Sequence, residues 1–213
     1  MERKLTQRER SGATRAALVA AARPLFARRG YGGVGAEEIV AAAGVTRGAL
    51  YHHFGGKEGL LAAVYEQIEQ ELLERIGARV AEQEATDPLA ALATGAQAFL
   101  DACSEPEIHR IVLLDAPSVL GWERWREIGW RYGAGLTEGV VQAAIDAGRI
   151  ARQPAKPLAH LLLGALDEAA LYVARAPEPA VAREEAGAAI AALLEGLRTR
   201  TPGRSPRAGV APA

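Results

Sequence analysis

Residues 36–61 read AEEIVAAAGVTRGALYHHFGGKEGLL, and the spacing of their apolar and breaking residues decides the fold. Ile39, Val40 and Ala43 fall on one side of a short helix over about 36–43. Gly44 can take the left-handed backbone conformation that ends such a helix. Thr46, two residues on, is a favoured N-cap. The second helix spans about 47–54, with Leu50 and Phe54 four apart on its buried side. Gly55-Gly56 stops it, and Lys57-Glu58 opens a third. Two short helices joined by a glycine-containing turn predict a helix-turn-helix.

The outward side of the second helix then carries Arg47, Gly48, Tyr51 and His52. An interior glycine costs a helix about 1 kcal/mol relative to alanine, a cost that makes sense where the helix must press closely on something. A DNA major groove admits one helix, read mainly by its N-terminal part. Arg47 suits a guanine edge or a phosphate. Thr46 suits a cap or a phosphate, and Tyr51 and His52 reach backbone or base edges. Lys57 stands beside free N–H groups at the next helix start, where phosphates bind. The same residues also fit an exposed polar helix with a core-packed tyrosine. His52 and His53 point apart on a helix and have no third ligand, so no metal site is expected.

Outward from this stretch the pattern stays helical. Residues 1–13 have no apolar face and read as a flexible basic arm. Leu18, Ala22, Leu25 and Phe26 mark a first helix, with a bend expected at Pro24. Further helices are expected over about 57–85, 87–103, 105–117, 122–147, 157–176 and 179–198. The tail 201–213 is rich in Pro, Gly and Arg and reads as disordered. No β alternation appears. The fold class is therefore all-α with about nine helices: a DNA-binding domain over 14–56 and a helical domain over 57–200.

Charge is unevenly distributed. Residues 1–60 hold ten Lys or Arg against five Asp or Glu, whereas 61–197 hold eleven against twenty-one. A basic head on an acidic body points to a polyanionic partner for the head. Cys103 is alone, which excludes an internal disulfide or a Cys-based zinc site. No apolar signal segment opens the chain, and no apolar run approaches the ~20 residues of a membrane span. The expectation is a cytoplasmic protein with no membrane partner. Neither a catalytic triad nor a phosphate loop nor metal-ligand spacing stands out, so neither enzyme activity nor a cofactor is expected.

With these residues in view, the stretch from Arg15 to Val64 resembles the DNA-binding domain of the tetracycline-repressor (TetR) family. The matching segments are ALVAAARPLFARRGYGG and EEIVAAAGVTRGALYHHFGGKEGLLAAVYE. The resemblance implies a three-helix N-terminal domain, a long linking helix and a helical effector-binding and dimerisation domain. It also implies a homodimer that binds a palindromic double-stranded DNA operator, usually as a repressor released by a small-molecule effector. Carried over by position, it assigns DNA contact to Thr46, Arg47, Gly48, Tyr51, His52 and Lys57. Two positions depart from the pattern. Val34-Gly35 stands where the family usually has a capping Thr or Ser, and Gly56 replaces a usual Ser or Asp.

For the effector, Trp122, Trp125, Gly129 and Tyr132 form a stripe on one helix, with Trp130 pointing off it. Phe99, Cys103, His109 and Arg110 join Trp122, Trp125 and Tyr132 as candidate pocket residues; core packing is the competing reading. Asp115 is expected to cap a turn. The resemblance places a dimer interface on the last two helices, where Leu161, Ala165, Ala169 and Tyr172 share one face and Ile190, Leu194 and Leu197 another. A helical small-molecule-binding protein without DNA binding is the alternative function.

Overall fold

The computed structural model describes residues 6–83 and 87–199. Among them nine helices form and no β-strand. They are α1 (Gln7–Arg29), α2 (Ala36–Ala42), α3 (Arg47–Phe54), α4 (Lys57–Glu82), α5 (Pro88–Cys103), α6 (106–120), α7 (Trp122–Asp146), α8 (Ala155–Arg175) and α9 (Pro179–Gly196). Part of the expected arm is helix. Thr6 caps α1 through a reciprocal box, its hydroxyl accepting from Glu9 N and its own N–H donating to the Glu9 carboxylate. That cap moves the helix start to Gln7; residues 1–5 of the arm and the tail 201–213 lie outside the described residues. Helix α1 continues through Pro24.

Helices α1–α3 close a small core around Leu18, Phe26, Ile39 and Leu50, all fully buried. Helix α4 runs out of this head into the second layer without a break. Its Leu60, Leu61 and Val64 finish the head core, and Ile68 and Leu72 enter the body. The body packs α5 and α7 on α4, α8 on α7, and α9 on α8 and α5. Asp87 caps α5 by accepting from Leu89 N, and Pro88 occupies the first turn. Gly121, at φ 80°, separates α6 from α7.

Helix α6 is longer than its periodicity predicts and is irregular. It is α-helical over Pro106–Ile108, π-helical over His109–Asp115 and α-helical again over Ala116–Leu120. The Trp125 indole N–H donates to the Val112 carbonyl at 2.8 Å, supporting the π segment from α7. Such bulges occur frequently at functional sites. Helix α8 departs from expectation differently. By length and composition alone it could cross a membrane, with 33% of that stretch buried. No span was expected from the sequence, and Asp167 and Glu168 do interrupt the apolar run of this helix.

Candidate DNA-binding surface and effector cavity

The turn between α2 and α3 is built as its residues dictate. Gly44 adopts φ 65°, and Val45 N donates to Val40 O at 3.0 Å. The Thr46 hydroxyl accepts from Ala49 N at 3.3 Å, so it serves as the cap of α3. Gly48 is exposed, and a side chain there would meet nothing closer than the Thr46 hydroxyl at 3.7 Å. No close contact inside the chain requires that glycine. Arg47 is exposed and held locally. It pairs with Glu37 at 2.6 Å, donates to the Tyr51 hydroxyl at 3.3 Å and lies over the Tyr51 ring. Tyr51 and His52 are exposed.

Lys57 is placed differently from the rest. Its ammonium donates to Tyr31 O at 2.9 Å and Val34 O at 2.8 Å, and sits 3.9 Å from the Tyr31 ring centroid. Two of its three protons therefore tie α4 to the α1–α2 turn. Gly35 and Gly56 cap α2 and α4 with no side-chain hydrogen bond, as their lack of a side chain dictates.

The body encloses a cavity of about 320 Å³ between α4, α5, α6, α7, α8 and α9. Its walls are mostly apolar, with Leu72 and Ile76 from α4, Phe99 from α5, Trp125 and Tyr132 from α7 and Leu166 from α8. Gly129 lets α7 approach α4 closely, since a side chain there would come within 3.1 Å of the Tyr65 hydroxyl. Two carboxylates share this space. Burial pushes the Glu69 carboxyl up to about 7; Tyr65, in hydrogen-bond contact, pulls it down, and Asp167 adds to the rise. Burial pushes Asp167 up to about 6 against the opposing charge of Arg126, which stands 3.9 Å away. The Trp130 indole nitrogen is buried without an acceptor.

The N-terminal residues 18–64 match a family model described as bacterial regulatory proteins, tetR family. Residues 62–197, more than half of the chain, match one described as tetracyclin repressor-like, C-terminal domain. The chain belongs to the TetR family. It is 30% identical over 164 residues to the Transposon Tn10 TetC protein of Escherichia coli, covering 77% of this chain and 82% of that one. It is 36% identical over 117 residues to the HTH-type transcriptional regulator CymR of Pseudomonas putida, covering 54% and 58%. A solved TetR-family transcriptional regulator from Pectobacterium atrosepticum matches with a TM-score of 0.80 and 38% identity, covering 92% of this chain and 99% of that one.

As a TetR-family transcriptional regulator, the chain pairs a DNA-binding helix-turn-helix with a ligand-binding body. Phe99, Trp125 and Tyr132 line the cavity. The other four pocket candidates do not. Cys103 is buried in the core and does not line the cavity; burial first, then the nearby Glu69 and Asp167 carboxyls, raise its thiol. His109 contacts the Ala174 carbonyl at 3.1 Å, fastening α6 to α8. Arg110 is exposed and lies against Gly30, and Trp122 is 49% exposed, tilted against Trp125. Trp130, read from the sequence as pointing away, does line the cavity.

The dimer candidates also divide. Leu161 is 72% exposed and Tyr172 is 52% exposed, while Ala165 and Ala169 are half-buried against the core. Ile190 and Leu194 are buried and line the cavity, so they face their own chain rather than a partner. Leu197 packs partly buried on the core, and exposed Leu193 was not foreseen. The sequence reading also missed Tyr65, Glu69 and Asp167. Glu69 carried a signal, because it lies between Ile68 and Leu72 on the inner side of α4. Asp167 carried the same signal, four residues after Leu163 on one side of α8.

Proposed function

We propose that this TetR-family regulator is a cytoplasmic, homodimeric repressor that binds a palindromic operator and leaves it when a small molecule fills the cavity. The observation that carries the reading is that one helix, α6, belongs to both sites. Its Val112 and Leu113 are cavity wall. Its Glu107 receives a two-pronged contact from Arg23 of α1, at 2.9 Å to each oxygen, and Asp115 accepts from Tyr31 N at 2.7 Å. A ligand that spreads the wall moves the element that holds the head.

In this reading α3 enters the major groove, with Arg47, Gly48, Tyr51 and His52 toward the bases and Thr46 near the backbone. Two such helices need a spacing of roughly 34–36 Å, one helical turn of DNA. The two-fold axis runs through the exposed faces of α8 and α9 around Leu161 and Tyr172. Leu161→Glu then converts the dimer to a monomer in sedimentation analysis.

The test is a gel-shift titration on DNA flanking its own gene, at two salt concentrations, with competitor DNA. Selective binding that survives competitor supports the regulator reading and supplies an operator for effector screening. Weak, salt-sensitive and unselective binding across the whole set of flanking fragments favours the alternative, a helical small-molecule-binding protein.

A further inference from the structure

The cavity contains a carboxyl group with no basic partner among the described residues. Glu69 of α4 lines it among Leu72, Leu73 and Ile76. No basic group is among the charges that act on it; the neighbours are the Tyr65 hydroxyl and the Asp167 carboxylate. The Tyr65 hydroxyl has one proton, and it also faces the Trp125 carbonyl oxygen at 3.2 Å. It cannot donate to the Trp125 carbonyl and to an ionised Glu69 at once. Asp167, which lines the same cavity from α8, pairs with Arg126 at 3.9 Å.

Two carboxylates in an apolar enclosure are costly, and a leucine in place of either would serve packing better. The walls indicate what would offset them. Trp125, Trp130, Tyr132 and Phe99 present aromatic surface to the same space. Aromatic faces beside carboxylates attract organic cations. The protein's own Arg126 demonstrates the preference at the cavity edge, where its guanidinium stands 5.3 Å from the Trp130 ring centroid while pairing with Asp167. Arg126 serves Asp167, and Glu69 is left over. An anionic ligand would meet two carboxylates, a neutral one would leave Glu69 protonated, and only a cation would offset an ionised Glu69.

We propose that the cavity selects lipophilic organic cations, with a protonated amine or quaternary ammonium head beside Glu69 and Asp167 and an apolar body among Leu72, Ile76 and Phe99. This rests on the reading of the cavity as the effector site. The aromatic walls contribute to the head as well as to the body, and Glu69 decides the sign of the ligand charge.

Three probes of one shape test it: 4-hexylbenzylamine, 4-hexylbenzyl alcohol and 4-hexylbenzoate, titrated into the full chain by calorimetry at neutral pH. The amine is expected to bind about ten-fold more tightly than the alcohol, with the benzoate weakest. Glu69→Gln is expected to cut amine affinity about ten-fold and leave the alcohol within about two-fold, with cooperative unfolding retained. Equal or tighter binding of the alcohol or benzoate overturns the cation selection while leaving the cavity a ligand site. Unchanged amine affinity in Glu69→Gln overturns the role of Glu69. Binding of none of the three overturns both the cation selection and the effector-site reading.

Discussion

The Asp115 carboxylate accepts the backbone N–H of Tyr31 at 2.7 Å, joining α6 of the ligand-binding body to the end of α1 in the DNA-binding head. The two residues are 84 apart in sequence, and Gly30 at φ 70° turns the chain so that the N–H faces the body. A hydrogen bond to a charged acceptor contributes about 1.5–3 kcal/mol. Asp115→Ala is expected to lower the unfolding free energy by that order in urea titration, and Asp115→Asn by less, because the amide oxygen still accepts. In the proposed mechanism, both variants also weaken the effect of a bound effector on DNA affinity. Full retention of that effect in Asp115→Ala would remove this contact from the coupling path.

Lys57 provides a second, independent check. Its ammonium satisfies two carbonyls of the α1–α2 turn. Lys57→Ala is therefore expected to destabilise the head by about 1–3 kcal/mol, the cost of leaving partly buried acceptors unpaired. A phosphate contact would instead reduce the salt slope of DNA binding by about 0.9. Measuring urea unfolding and the salt slope on the same variant separates the two roles. The structure points to the larger effect on unfolding.

Arg47 presents the opposite case. Its side chain is 60% exposed, and its pair with Glu37 is an exposed ion pair. Such solvent-screened pairs add little to stability, so Arg47→Ala should leave unfolding nearly unchanged while DNA affinity falls more than about ten-fold. Loss confined to particular operator positions identifies a base contact, and uniform loss a phosphate contact. Glu37→Gln should tighten DNA binding, because it frees Arg47 and removes a charge facing the phosphates. Weaker binding by Glu37→Gln would mean that the ion pair orients Arg47 for DNA.

The cavity carboxylates make stability depend on pH with a defined sign. Burial raises Glu69 from 4.5 to about 7 and Asp167 from 3.8 to about 6. The folded state favours the protonated forms, so their stabilising contribution is complete below the unfolded values. It is lost as pH rises through about 6 for Asp167 and about 7 for Glu69. Unfolding free energy is expected to fall by about 1–3 kcal/mol between about pH 5 and pH 7.5. The groups facing Glu69 are Tyr65 and Asp167, and Arg126 faces Asp167. Glu71 and Asp87, held low by Arg23 and Arg198, act with the opposite sign and only at more acidic pH. Glu69→Gln should flatten the decline; a profile that keeps the wild-type slope would assign the decline to other groups.

Much of this molecule is decided by short-range rules that are legible in the chain. Thr46 capping α3, Gly44 turning at positive φ, and Asp87-Pro88 opening α5 each follow from residues within a few positions of one another. The nine helices and the outward placement of Arg47, Tyr51 and His52 follow from the same periodicity. The residues that required the tertiary structure are those whose partners are distant in sequence. Lys57 reads as a free cation until the carbonyls of Tyr31 and Val34 fold back onto it. Ile190 and Leu194 share a face with dimer candidates in sequence, but the crossing of α9 over α5 and α8 turns them to the cavity. Trp122 and Trp130 exchange roles through the packing of α7 between α4 and α8, while the rest of the predicted stripe, Trp125, Gly129 and Tyr132, does line the cavity. Periodicity determines which residues share a helix face, but only packing decides what that face meets. The charge of Glu69 has meaning only once Asp167, Tyr65 and the aromatic walls enclose it.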